Sequence, residues 1–218
     1  MAAKNRSKTL AWIAWAIVII VIVADQASKI WVKTHFYIGE DVEITPWFHL
    51  HFVQNNGMAF GMDFLNKYIL TVMRLGLFGF LVWYIRRLCQ RATVPVGYMA
   101  CIALIAAGAF GNIIDCVFYG EIFSNPYPPE TAGFVSWGNG YGGILQGLVV
   151  DMLYFPLFSF TWPDWIPVVG GNVFSFFDPV FNIADVAIST GMIAIVIFYF
   201  KLMERSLDDE KPHKDTAD

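Results

Sequence analysis

Four long apolar runs, broken only by isolated polar residues, set the outline of the chain: roughly residues 9–32, 66–88, 94–115 and 182–203. Each approaches the ~20 residues that a helix needs to cross the hydrocarbon of a bilayer. The pattern therefore predicts an all-α membrane protein with four transmembrane helices. Between the first two runs the period changes. Trp47-Phe48-His49-Leu50-His51-Phe52-Val53 alternates residue types, as a half-buried strand does, so residues 33–65 are expected to carry a small β-sheet. The other long connection, 116–181, reads as irregular: Pro126, Pro128 and Pro129, then Gly138, Gly140, Gly142 and Gly143, then Phe158, Phe160, Trp162 and Trp165. So many aromatics argue against disorder and for a surface in the membrane interface. The echo between Asn112-Ile-Ile-Asp115 and Asn182-Ile-Ala-Asp185 is too short to imply a duplication.

Composition agrees with the pattern. Over 218 residues the chain is 57% hydrophobic and 17% aromatic, with a mean hydropathy of +0.54. The formal charge of −4 says less than where the charges lie. Lys4, Arg6 and Lys8 precede the first run, Arg86, Arg87 and Arg91 close the second, and Lys201, Arg205, Lys211 and Lys214 end the chain. From Asp115 to Asn182 there is no lysine or arginine, only the acids Asp115, Glu121, Glu130, Asp151, Asp164 and Asp178. Basic residues gather on the cytoplasmic side, so both termini are expected there and both long connections, 33–65 and 116–181, outside. The first run imitates a secretory signal, but Asp25-Gln26-Ala27-Ser28-Lys29 follows it in place of a small-residue cleavage site, so a retained helix is expected. No basic patch interleaved with aromatics points to a nucleic-acid partner. Cys89, Cys101 and Cys116 form neither a C-x-x-C pair nor an even framework.

The chemistry rests on acids in apolar surroundings, which normally mark function in a membrane protein. Asn112 with Asp115, and Asn182 with Asp185, are each spaced to share one helix face, although such pairs also serve as helix caps. Asp151 stands in Gly147-Leu-Val-Val-Asp-Met-Leu-Tyr-Phe155 with no local counter-charge. Taken alone it reads as a turn or cap acid. Burial and a second carboxylate both raise a carboxyl pKa, and two such acids can share a proton and hydrolyse a peptide without metal or covalent intermediate. Any two of Asp115, Asp151 and Asp185 could form that pair. Asp25 and Lys29 are spaced i,i+4, acid first, and are expected to form a structural ion pair. Arg74, inside the second run, either snorkels or pairs inward. His49 and His51 share a strand face but lack a third zinc ligand, so no metal is expected. There is no G-x-S-x-G elbow. A small proton-coupled carrier is the rival class, though carriers commonly show paired repeats.

Together these residues resemble lipoprotein signal peptidase, or signal peptidase II, a bacterial membrane aspartic peptidase family. Asp25-Gln-Ala-Ser-Lys29 is similar to the family's D-x-x-x-K, and Asn55-Asn-Gly57-Met-Ala-Phe-Gly61 to its N-x-G-A-A-F. Gly108-Ala-Phe-Gly-Asn112-Ile-Ile-Asp115 resembles G-A-x-G-N-x-x-D-R, Val149-Val-Asp151-Met-Leu153 resembles V-V-D-F, and Phe181-Asn-Ile-Ala-Asp185-Val-Ala-Ile188 resembles F-N-x-A-D-x-x-I. The resemblance implies a single integral membrane peptidase domain over 1–218, with an extracytoplasmic β-cradle and a mobile outer element. It implies that Asp151 and Asp185 are catalytic, that Asn55, Gly57, Asn112, Asp115 and Asn182 line or support the site, and that Asp25 and Lys29 brace it. It also implies no cofactor, a lipid-modified prolipoprotein as substrate cut before the lipidated cysteine, contact with membrane lipid, and a monomer in the bacterial inner membrane with its site near the outer face. Two departures stand out. Cys116 occupies the place of the family's arginine, with no basic residue from 115 to 182 to replace it, and the segment from Asp115 to Asp151 is longer than usual, suggesting an added surface.

Overall fold

The structure, a computed structural model, describes residues 2–56, 67–91, 93–176 and 178–202. Helix α1 spans Ala2–His35, α2 Lys67–Gln90 and α3 Val96–Ile114; α3 continues through a π-helical turn, Asp115–Tyr119, into the short α4, Gly120–Ile122. Helix α5, Ile183–Ala194, continues likewise through a π turn at Ile195–Tyr199. Among the described residues, four helical stretches are thus long and apolar enough to cross a membrane: Asn5–His35, Lys67–Gln90, Val96–Ile122 and Ile183–Leu202.

Helix α3 is the central post, packed by α1, α2 and α5. Its run of small residues permits this. A Cβ at Gly108 would collide with the carbonyl oxygen of Ala184, and one at Gly111 would lie 2.7 Å from Asp25 Oδ2. Close backbone approach through small residues is how membrane helices gain packing contacts when water offers no hydrophobic drive between them. At the end away from the sheet, Leu10, Ala14, Tyr84, Leu88, Tyr98 and Met99 form a buried cluster, in which the Tyr84 and Tyr98 hydroxyls bond at 2.7 Å. Apolar side chains such as Trp12, Ile20, Val72 and Phe198 point outward, as expected where lipid is the solvent.

The third helix does not stop at Asp115, where the hydropathy pattern ends it. It runs on to Ile122 because the Asp115 carboxylate is neutralised inside the bundle by Lys29 and needs no water. The long connection is also more regular than its composition predicts. It contains β3, Val149–Tyr154, which pairs antiparallel with β2, Phe48–Asn55. The sheet is completed by β1, Asp41–Thr45, and β6, Val180–Phe181, in the order β1-β2-β3-β6. Strand β3 escapes an alternation test because its residues Val149 to Met152 are all buried. A central strand covered on both sides reads as a plain apolar run. A separate hairpin pairs β4, Phe158–Thr161, with β5, Val173–Phe176.

A second apolar cluster, with Val32, Phe36, Phe52, Tyr119, Phe123, Val150 and Met152, fastens the sheet to the end of α1 and to the π turn. The chain from Phe123 to Gly147 follows the same surface, with Gly142 N donating to the Gly120 carbonyl at 2.9 Å and Gly147 N to that of Cys116 at 2.8 Å. Lys33, fully buried, lies among the rings of Tyr141, Phe123 and Phe52 at 4.9, 5.3 and 5.9 Å. Such contacts hold a cation by the ring quadrupole.

Candidate active site

The start of α5 is set by a capping box. Asn182 is the N-cap; its side-chain oxygen accepts from Asp185 N at 2.9 Å, and Asp185 Oδ2 accepts from Asn182 N at 3.3 Å. This satisfies two donors that a helix N-terminus leaves unpaired. It also locks the Asp185 side chain. A third donor, Ala184 N, is taken by Asp25 Oδ1 of α1 at 2.9 Å, so two carboxylates sit where the helix dipole favours negative charge.

Asn182 reaches further. Its Nδ2 lies 2.6 Å from Asp151 Oδ1 and 3.2 Å from the Val150 carbonyl oxygen. One asparagine therefore bonds both aspartates, one through its backbone and amide oxygen, the other through its amide nitrogen. Asp151 projects from the middle of β3 and is almost wholly buried. Its second oxygen accepts from Asn55 Nδ2 at 3.2 Å. Burial first, and then the charge of Asp185, push its pKa up to about 7, while the amides of Asn55 and Asn182 act in the opposite direction.

Beneath this pair lies an ionic core. Lys29 Nζ meets Asp25 Oδ2, Asp115 Oδ2 and Asn112 Oδ1, each at 2.8 Å, with its side chain wholly shielded. All three ammonium protons have acceptors, as a buried lysine requires. Asn112 passes the constraint upward: its Nδ2 donates to Asp185 Oδ1 at 2.9 Å, and its Oδ1 also accepts from Asn182. Asp115 accepts from Val150 N at 3.3 Å, the residue before Asp151. Gln26 Nε2 donates to Asp115 at 2.9 Å, and the Tyr119 hydroxyl donates to Gln26 Oε1 at 3.1 Å.

Of the residues singled out in the sequence, Asp25, Lys29, Asn55, Asn112, Asp115, Asp151, Asn182 and Asp185 thus form one hydrogen-bonded network. Gly57 lies outside the described residues. The i,i+4 pair of Asp25 and Lys29 is present but is one edge of a larger cluster. Gln26 and Tyr119 were not singled out. Gln26 had only its place inside the Asp25–Lys29 block as a signal, and Tyr119 had none. The place beside Asp115 that lacks a basic residue in its own connection is met from elsewhere. Arg74 of α2 turns inward, its Nη1 3.0 Å from Cys116 Sγ. His49 pairs with Asp41 at 3.0 Å, and among the described residues no group of three or more His, Cys, Asp or Glu is placed to hold a metal ion.

Four apolar helices topped by a small sheet, with two aspartates tied through one asparagine at the junction, define an integral membrane protein with a two-carboxylate site. Two solved bacterial membrane enzymes share the fold. One, 22% identical, has a TM-score of 0.58 over 91% of this chain and 92% of its own; the other, 23% identical, scores 0.56 over 84% and 90%. Residues 17–201 match the family model described as Signal peptidase (SPase) II. A lipoprotein signal peptidase of Porphyromonas gingivalis is 41% identical over 90% of this chain and 86% of its own length. That of Amoebophilus asiaticus is 36% identical over 85% and 77%. The chain belongs to the signal peptidase II family.

Proposed function

We propose that this protein is an aspartic endopeptidase that removes the signal peptide from diacylglyceryl-modified prolipoproteins, cutting before the lipidated cysteine, with Asp151 and Asp185 as its catalytic pair. The observation that carries the assignment is Asn182, which bonds both carboxylates while Asp115, the third acid, is engaged by Lys29 and Gln26. Burial and the neighbouring Asp185 push the Asp151 carboxyl up to about 7, so it retains a proton far closer to neutral pH than a free aspartate does. Asp151, the more deeply buried member, holds that proton and donates it to the scissile carbonyl oxygen. Asp185, at the open side and fixed by Asn112, takes a proton from water, which attacks the carbonyl carbon. The tetrahedral intermediate collapses as Asp185 passes the proton from water to the leaving amine nitrogen, the C–N bond breaks, and a hydroxyl of the intermediate returns a proton to Asp151.

Asn55, Asn112, Asp115 and Asn182 hold these groups in place, and Asp25 and Lys29 brace the helices beneath. The placement of basic residues supports cytoplasmic termini and an extracytoplasmic sheet serving as a cradle for the substrate. The substrate's lipid would then lie against the helices in the inner membrane while its peptide reaches the outer boundary, where a single domain acts as a monomer without cofactor.

The test is cleavage of a diacylglyceryl prolipoprotein by purified protein in detergent. Asp151→Asn and Asp185→Asn should each lower the rate by about 10³-fold or more, in the range lost with a general acid or base. Asp115→Asn should only reduce it, and chelators should have no effect. Activity surviving in either of the first two variants, with folding verified, would reject the assignment.

A further inference from the structure

The hairpin of β4 and β5 plays no part in the carboxylate network, and its register gives it two unlike faces. Phe158 pairs with Phe176 and Phe160 with Phe174, whereas Ser159 pairs with Ser175 and Thr161 with Val173. Because side chains alternate along a strand, the four phenylalanines share one face. Phe158 stacks on Phe176 at 5.0 Å, Phe160 lies 5.2 Å from Phe174, and Trp162 extends the row 4.8 Å from Phe160. Ser159 and Thr161 take the opposite face. The rings touch one another yet remain open, with 38% to 51% of each phenylalanine exposed. At the tip, Trp165 is 80% and Val168 97% exposed.

A two-stranded hairpin is at best marginally stable in water, and a contiguous apolar face of this kind marks a surface that something covers. The fold indicates what. The chain returns from β5 through β6 directly into α5, whose first residue opens the fourth membrane span. The seven residue-to-residue steps from Phe176 to Ile183 reach at most about 25 Å, so the base of the hairpin is held near the end of a span, beside the lipid boundary. From Phe158 to Phe176 the only charged residue is Asp164. Apolar contact and interfacial tryptophans, with no basic residue for lipid phosphates, suit the headgroup region of a bilayer.

We propose that β4 and β5 form an amphipathic hairpin that lies in the bilayer interface on the sheet side, with the phenylalanine face and the Trp165–Val168 tip sunk toward the acyl chains. Its strands lie within the connection between Asp151 and Asp185, so it holds the sheet at a constant depth. The partner is the lipid surface itself. The inference uses the membrane spans and the hairpin, and does not depend on the peptidase assignment.

The test is spin-label depth measurement on the full chain in phosphatidylcholine nanodiscs, with wild type carried through the same labelling as background for the native cysteines. A label at Phe160→Cys should be several-fold more accessible to oxygen than to a water-soluble nickel chelate, and the adjacent Thr161→Cys should show the reverse. Should Phe160→Cys disturb the strand, Trp165→Cys and Val168→Cys, outside the strands, should report the acyl region, and Glu130→Cys water. None of these values should change with added salt or phosphatidylglycerol. Water-like values at positions 160, 165 and 168 would overturn the proposal. So would an apolar environment that arises only when a diacylglyceryl prolipoprotein is added, since that would give the face to the substrate.

Discussion

Asp151 carries a proton well above the pH at which a free aspartate loses it, and this has consequences for stability as well as chemistry. With its pKa raised from 3.8 to about 7, the folded protein binds this proton more tightly than the unfolded chain. Below pH ~4 both states are protonated and the stabilisation is complete; as pH rises through 7 it is lost, in total on the order of 4 kcal/mol. Thermal unfolding in detergent should therefore show wild type losing stability from pH 5 to 8, and Asp151→Asn losing less. The kcat/KM profile should fall above pH ~7, as Asp151 releases its proton. A pH-independent difference between the two proteins would show that Asp151 ionises normally.

At the scale of elements, the position of Asp185 depends on how closely α5 approaches α3. Gly108 faces the Ala184 carbonyl with no room for a Cβ, one residue before Asp185. Gly108→Val should push the helices apart, at a cost of roughly 1–3 kcal/mol, the usual scale of overpacking. Cleavage should fall more steeply, by around 10²-fold, because a displacement of about 1 Å at a reacting group has that effect. Measuring melting temperature and kcat together checks this; equal, small losses in both would mean the helices adjust without moving Asp185. The same dependence on neighbours explains Arg74. Its guanidinium comes from α2, 42 residues before Cys116, to a place that the local sequence leaves without a cation.

For the molecule as a whole, the separation of charge along the chain predicts a fixed sidedness. Thr93→Cys, between α2 and α3, should be protected from a membrane-impermeant maleimide in intact cells, and Glu130→Cys, in the long connection, should be labelled. Both positions are exposed, so accessibility to the reagent depends on side alone. Reversed labelling would invert the orientation and put the carboxylate pair on the cytoplasmic side.

The number of spans and a strand around Trp47–Val53, found at Phe48–Asn55, were legible in the sequence. Hydrophobic length and period are properties of a local stretch, and so is a carboxylate among apolar neighbours. The five short blocks carried the family likewise. What local pattern left open was the partnership among Asp115, Asp151 and Asp185. Contacts across the fold distinguish the three: Lys29 and Gln26 of α1 engage Asp115, while Asn182 bonds the other two. Strand β3 was hidden because burial on both faces erases alternation, and the extension of α3 past Asp115 because an ion pair made by a distant lysine removes the need for water. Sequence sets what each segment prefers on its own; only tertiary structure decides which charge meets which, because electrostatic and hydrogen-bond energies in a shielded interior are set by distances between segments far apart in the chain.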